Sequence, residues 1–205
     1  MRAKYSFSEV LDNACSLCIT KVAMKQARLI RRPVYIRGRK SLSGCKGLTT
    51  GRFCRFDLEG EKKTLYIGER CEMGDMTHIV AYESVRIGDD VLIASKCFIS
   101  DTNHGSYTGD EQSSPYTKPN DRGLYTKPVV IGDRVWIGEN AVILAGSDIG
   151  DGCIVGANSV ISREIPANCV VVGVNNIIKK YNKETNCWES VDKKESEEQG
   201  ERQSH

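Results

Sequence analysis

Every sixth residue from Ile131 is a β-branched aliphatic: Ile131, Ile137, Ile143, Ile149, Val155 and Ile161. The residue that follows is usually small, as at Gly132, Gly138, Gly150, Gly156 and Ser162, with Leu144 the exception. Four places after each of the first five stands another small or modestly apolar residue: Val135, Ala141, Ser147, Cys153 and Ser159. Upstream the same step joins Ile67, Met73 and Ile79, then Ile87, Ile93 and Ile99 after a short insertion near Tyr82–Ser84. Ile36, Leu42 and Leu48 keep it more faintly. A period of six matches neither a helix (3.6) nor a simple alternating strand (2). It matches a triangular coil, in which each hexapeptide supplies a short strand and a corner and points its aliphatic side chain into the prism. One coil cannot bury its apolar face alone, so several must stack. The spacing predicts four full coils from Leu65 to about Ile165 and one irregular coil at Ile36–Leu48. The fold class is therefore all-β, a parallel β-helix. Spacing does not give its hand, since parallel crossovers are normally right-handed.

Two segments fall outside the repeat. Residues 8–30 carry Val10, Leu11, Ala14, Leu17, Cys18 and Ala27 among Lys21, Lys25 and Arg28, the pattern of a basic amphipathic helix. Pro33 after Arg31-Arg32 would end it. Residues 1–32 are thus expected to form a helical cap on a repeat domain of residues 33–180. Residues 181–205, rich in Glu, Ser and Gln from Lys193, read as a polar disordered tail.

Composition narrows the function classes. The chain has 205 residues and a net charge of +2, so no strong global field argues for nucleic acid. The charge is uneven: residues 1–40 hold ten Lys/Arg against two Asp/Glu, whereas seven acids face three bases from Glu184 onward. There is no secretory signal pattern and no apolar run long enough to span a bilayer, so a cytoplasmic location is expected. Residues 1–32 are then a candidate contact with an anionic membrane surface, alongside the capping role. Nine cysteines include one C-x-x-C, Cys15 and Cys18, with no second to complete a zinc site. Cys71, Cys97 and Cys153 share one repeat position and are read as small buried apolar residues, and no metal is expected.

The register breaks on a large scale once, between Ile99 and Ile131. The intervening stretch opens Ser100-Asp101-Thr102-Asn103-His104-Gly105-Ser106-Tyr107 and continues through Pro115, Pro119 and Pro128. A long loop on a repetitive scaffold is usually functional, and 101–128 holds one of three histidines. His78, beside Ile79, is read as structural, and His205 lies in the tail.

Three stretches carry a resemblance: Leu92 to His104, Ile131 to Asn140 with its Val-Trp-Ile-Gly, and Ile149 to Val160. Between about Ile36 and Tyr181 the chain resembles the hexapeptide-repeat O-acetyltransferases, which include galactoside and maltose O-acetyltransferases. It is most similar to those that acetylate bacterial O-antigen and capsular polysaccharide. The resemblance implies a left-handed β-helix, acetyl-CoA as co-substrate, a carbohydrate acceptor, and a homotrimer with sites between subunits. It makes His104 the general base, a role that suits imidazole near neutral pH. Asp101 or Asn103 would orient the ring or meet the acceptor, as would Tyr107. Trp136 would line the cleft near the thioester or acceptor. Gly138, Ala157, Ser162, Arg163 and Lys180 would contact CoA, the last two through its phosphates or adenine. One departure stands out: the family usually continues Gly-x-Pro-Ala-(Lys/Arg) after the last coil, whereas this chain reads Gly173-Val174-Asn175-Asn176-Ile177. A basic residue that often meets CoA is replaced by Ile177.

The sequence leaves other readings open. A γ-class carbonic anhydrase would need three clustered histidines. Many sugar-nucleotide N-acyltransferases of this architecture carry a Rossmann-like domain, and no G-x-G-x-x-G follows a strand here; a single-domain relative stays open. Serine acetyltransferase would need a larger helical N-terminal domain. Acetylation of an antibiotic is the strongest rival enzyme reading, and a non-catalytic β-helix scaffold the rival outside enzymes.

Overall fold

A computed structural model describes residues 5–191. They form one helix and three parallel sheets wound as a β-helix. Face A stacks Leu29–Ile30, Thr49–Thr50, Glu72–Met73, Leu92–Ile93, Trp136–Ile137, Ile154–Val155 and Cys169–Val172. Face B stacks Val34–Arg37, Cys54–Leu58, His78–Ala81, Phe98–Ser100, Val142–Ile143 and Val160–Ile161. Face C stacks Leu42–Gly44, Leu65–Ile67, Val85–Ile87, Val129–Ile131, Asp148–Ile149 and Glu164–Ile165. The described residues thus make six complete coils and begin a seventh.

The predicted Ile and Val columns are the core. Ile79, Ile99, Ile143 and Ile161 pair in register on face B, and Ile67, Ile87, Ile131, Ile149 and Ile165 on face C, all essentially without solvent exposure. Burying each such side chain stabilises by about 1.5–3 kcal/mol. Six buried cysteines fill gaps between the columns. Burial pushes the Cys153 thiol up to about 11 and raises those of Cys71 and Cys97, so these three behave as the packing residues the sequence suggested; Cys54 is buried likewise.

Upstream the winding is longer than predicted. The first coil begins at Leu29, and the faint Ile36-Leu42-Leu48 register is not kept. A 3-10 turn at Arg39–Ser41 shifts it by two residues, so Gly44 pairs with Ile67 and Thr50 with Met73. Gly44, at a φ of 75°, leaves no room for a side chain, because a Cβ would meet the Ile67 carbonyl.

The helix, α1 (Phe7–Ala23), ends seven residues earlier than the sequence pattern suggests, because Ala27 to Ile30 are already drawn into the first coil. Ser6 and Glu9 close a capping box at its start. Its first turns run beside the A–B corner, and its last turn with the Met24 cap reaches the first coil, where Thr20, Ala23 and Met24 border Ile30, Val34, Ile36 and Arg39. The Ser16 hydroxyl accepts from Arg32 N at 3.2 Å, the Thr20 hydroxyl from Ile30 N at 3.0 Å, and Asp12 pairs with Arg52 at 3.5 Å. The helix is also inverted. Its polar residues Ser16 and Thr20 are the buried ones, while Phe7, Val10, Leu11, Leu17 and Val22 face outward, Phe7 at 85% exposure.

At the other end the chain folds back. Asn176–Asn182 runs antiparallel to Cys169–Val172, and Cys187–Ser190 adds a further strand. The expected tail therefore begins later than residue 181: Tyr181 and Trp188 stack edge to face at 5.3 Å across this hairpin. The polar stretch from Lys193 lies outside the described residues.

Candidate active site

The corners of the prism decide where chemistry can sit. Between faces C and A, Asp89, Asp133 and Asp151 each accept a backbone N–H from the coil below, at 2.8 Å. Between A and B, Asp75, Ser95 and Glu139 do the same at 2.6–3.1 Å. These corners are also pinned by residues with positive φ, such as Arg70, Asp90, Arg134, Lys96, Asn140 and Asn158. The B–C corner lacks this uniform ladder, and the long insertion leaves the stack there.

That insertion is a built arm. Thr102–His104 pairs antiparallel with Leu124–Thr126, setting His104 opposite Leu124, and residues 105–123 loop beyond. Asp101 anchors its root. Its fully buried carboxylate accepts Tyr82 N–H at 3.0 Å and the Glu83 and Ser84 N–H groups at 2.8 Å. Those bonds occupy it, so Asp101 does not orient the His104 ring as the sequence suggested. Asn103 is exposed and makes no side-chain hydrogen bond to a described residue.

Tyr107 holds the arm from within. Its hydroxyl donates to the His104 carbonyl at 2.5 Å and accepts from Arg122 Nη1 at 2.8 Å. Arg122 also donates twice to the Thr117 carbonyl, at 3.0 and 2.9 Å, and once to that of Pro115 at 3.4 Å. Sequence reasoning missed Arg122, since one arginine in a polar loop carries no periodic signal. The arm is thus tied through Arg122 and Tyr107 to the backbone of His104, while the imidazole itself is exposed and makes no hydrogen bond to a described residue. The ring borders a cleft of about 330 Å³ whose walls include Arg37, Arg55, Asp57, Tyr82 and Leu124.

The other predicted residues occupy different corners. Trp136, half exposed, lies on face A between Leu92 and Ile154. Gly138 and Ala157 are stacked at the A–B corner, where a Cβ on Gly138 would come within 2.6 Å of Ala157 N. Ser162 and Arg163 lie at the B–C corner, tied to Asn175: Asn175 Nδ2 donates to the Ser162 hydroxyl at 2.9 Å, and Arg163 Nη2 to the Asn175 carbonyl at 2.8 Å. Lys180 is exposed on the terminal hairpin, opposite Cys169. Ile177, where the family pattern has a cation, is buried against Val171 and closes the last coil. His78 is held by Asp57 at 3.0 Å and packs on Phe98.

Comparison with known proteins supplies the family. The model for bacterial transferase hexapeptide (six repeats) matches residues 128–163. The chain is 46% identical over 175 residues to the putative lipopolysaccharide biosynthesis O-acetyl transferase WbbJ of Escherichia coli, covering 84% of this chain and 89% of that protein. Two structures of a hexapeptide-repeat acetyltransferase from Vibrio cholerae, the second complexed with acetyl-CoA, superimpose with TM-scores of 0.52 and 0.50 at 27% and 29% identity. They cover 71% and 66% of this chain and 78% and 69% of theirs. AntD, an N-acyltransferase from Bacillus cereus, matches over 98% of both chains with a TM-score of 0.63 at 20% identity, a likeness of fold. A relative this similar over nearly its whole length, together with a repeat wound coil on coil, makes the chain a member of the hexapeptide-repeat acetyltransferases, and so an acyltransferase.

Proposed function

We propose that the chain transfers the acetyl group of acetyl-CoA to a hydroxyl of a bacterial surface carbohydrate, an O-antigen or capsular unit, with His104 as general base. The observation that carries this is the free, exposed imidazole of His104, held by its backbone at the rim of a polar cleft. A sugar hydroxyl is a poor nucleophile. As its oxygen attacks the thioester carbonyl, an imidazole nitrogen takes its proton; as the tetrahedral intermediate collapses, the C–S bond breaks and that proton passes to the leaving sulfur. Such a base contributes about 10²–10⁴-fold. Acetyl-CoA as donor is supported by the Vibrio relative crystallised with it, and a lipopolysaccharide acceptor by the name of the Escherichia coli relative.

A homotrimer with sites between subunits is supported by the corners. His104, Ser162 and Arg163 belong to the B–C corner, Gly138 and Ala157 to the A–B corner. The two corners stand on either side of face B, and a neighbouring chain that set its A–B corner against this B–C corner would join both groups around one substrate. Trp136, Gly138, Ala157, Ser162, Arg163 and Lys180 are the proposed CoA contacts, with Asn103, Tyr107 and Trp136 toward the acceptor. The outward apolar face of α1 favours a cytoplasmic enzyme that touches the inner membrane surface, where a lipid-linked glycan would be met. Among the described residues, no helix is long and apolar enough to cross a membrane.

The test is thiol release from acetyl-CoA with a panel of sugars, glycans and antibiotics. Transfer to a carbohydrate that is abolished in His104→Ala is expected. Undiminished turnover in that variant would remove the base; no binding of acetyl-CoA would favour a scaffold. A monomeric mass in solution would count against the shared site, and unchanged liposome flotation without residues 1–32 against the membrane contact.

A further inference from the structure

The cleft beside His104 has a charge pattern that the general reaction does not require. Its wall on face B carries Arg37, Arg55 and Asp57 from the first two coils. Asp57 accepts Arg55 Nε at 2.7 Å and lies 3.0 Å from His78 Nε2, both on Oδ2. Although burial favours the neutral acid, these bonds hold the carboxyl below its usual range, so it is ionised at neutral pH. Its other oxygen, Oδ1, is buried and has no hydrogen-bond partner. The nearest cation, Arg37 Nη1, stands 3.4 Å away with its side chain 71% exposed. The wall thus combines two guanidiniums with one largely buried carboxylate, and Arg37 keeps most of its donors free toward the cleft. Guanidinium forks suit carboxylates and phosphates. The cleft volume falls in the range of small-molecule sites.

We propose that this cleft is the acceptor subsite and that it selects a sugar bearing an anionic group, a carboxylate or a phosphate, bound by Arg37 and Arg55, with Asp57 holding the two guanidiniums in place from behind. The proposal rests on the reading of His104 as the base. The hydroxyl to be acetylated is the one brought against that imidazole.

The experiment pairs binding with turnover. Methyl glucuronide, glucose 6-phosphate and methyl glucoside are titrated into the full chain by calorimetry, and each is offered as acceptor with acetyl-CoA. At least one anionic sugar is expected to bind about tenfold tighter than the neutral one, the scale of a charge-assisted hydrogen bond. The tighter of the two identifies the anion. Arg37→Gln, a change at a largely exposed side chain, should bring that ratio down to about twofold, and Arg55→Gln should lower it as well, with melting curves confirming the fold. His104→Ala should keep the binding preference and lose transfer. Retained transfer there would remove the base and leave the anion site standing. Equal binding of all three sugars, no measurable binding of any, or a preference that survives both arginine changes would overturn the subsite.

Discussion

Two kinds of corner hold this molecule together, and they differ in how much length they tolerate. From face A to face B and from C to A, successive inward residues are always six apart, as in Ile93 to Ile99 and Ile131 to Ile137. From B to C the step runs from Ile36 to Gly44, Phe56 to Ile67, Ile79 to Ile87, Ile99 to Ile131 and Ile161 to Ile165, and only Ile143 to Ile149 keeps the standard length. That regular corner has Gly146 at a φ of 84°, the left-handed conformation that Asn140 and Asn158 take at the A–B corner. The strict corners are laddered coil to coil by side-chain carboxylates and hydroxyls, so an added residue would break bonds in two coils. The loose corner is also bridged from coil to coil, as by the Asp101 carboxylate on the Tyr82–Ser84 backbone, but not by one residue position repeated in every coil. Freed from the ladder, it can bear an arm, and the proposed base stands on that arm.

The comparison can be broken at several points. His104→Ala should lower kcat by about 10²–10⁴-fold while leaving Tm unchanged, because the ring is exposed and unbonded; parallel kinetics and melting curves check both halves. In the ladder the effect should reverse: Ile137→Ala, in a fully buried column, should cost about 2–5 kcal/mol by denaturant unfolding. A two-residue Gly-Ser insertion after Asn140 should destabilise by more than about 2 kcal/mol, whereas the same insertion after Gly109 should cost under about 0.6 kcal/mol. Equal penalties at the two sites would dissolve the distinction. Arg122→Ala should lower kcat by about tenfold with little change in the KM for acetyl-CoA, since it releases the arm without touching the coils. The smallest effect concerns pH. Asp57 has a lowered folded pKa, so its contribution to stability is present above the unfolded carboxylate value near 4 and lost as pH falls through the folded one. Wild-type protein should therefore lose its stability advantage over Asp57→Asn in acid melts below about pH 4.

The inverted helix carries a different lesson about patterns. Val10, Leu11, Leu17 and Cys18 make residues 8–30 read as a basic amphipathic helix. The helix turns Ser16 and Thr20 inward, since these hydroxyls satisfy the backbone N–H groups of Arg32 and Ile30 at the start of the first coil. Periodicity identifies an amphipathic helix but does not say which face meets the protein.

What the sequence determined by itself was the repeat: the Ile and Val columns from Ile67 to Ile161 fix the triangular coil, because only a six-residue turn returns each to the interior. It also determined the site of the break and the candidate residue within it, His104, with the resemblance adding the chemistry. It left the first two coils blurred, since Gly44 and Thr50, in register with Ile67 and Met73, carry no aliphatic signal. It left Asp101 and Asn103 as alternative ring-orienting groups, since a carboxylate three residues from a histidine looks the same whether it faces the ring or the backbone. The tertiary structure alone decided that every irregular step falls at one corner, that Arg122 and Tyr107 hold the arm, that Ile177 closes the last coil, and that Arg37 and Arg55 stand beside His104. Those relations join residues tens of positions apart, and it is the stacking of coils, which no local pattern encodes, that brings them into contact.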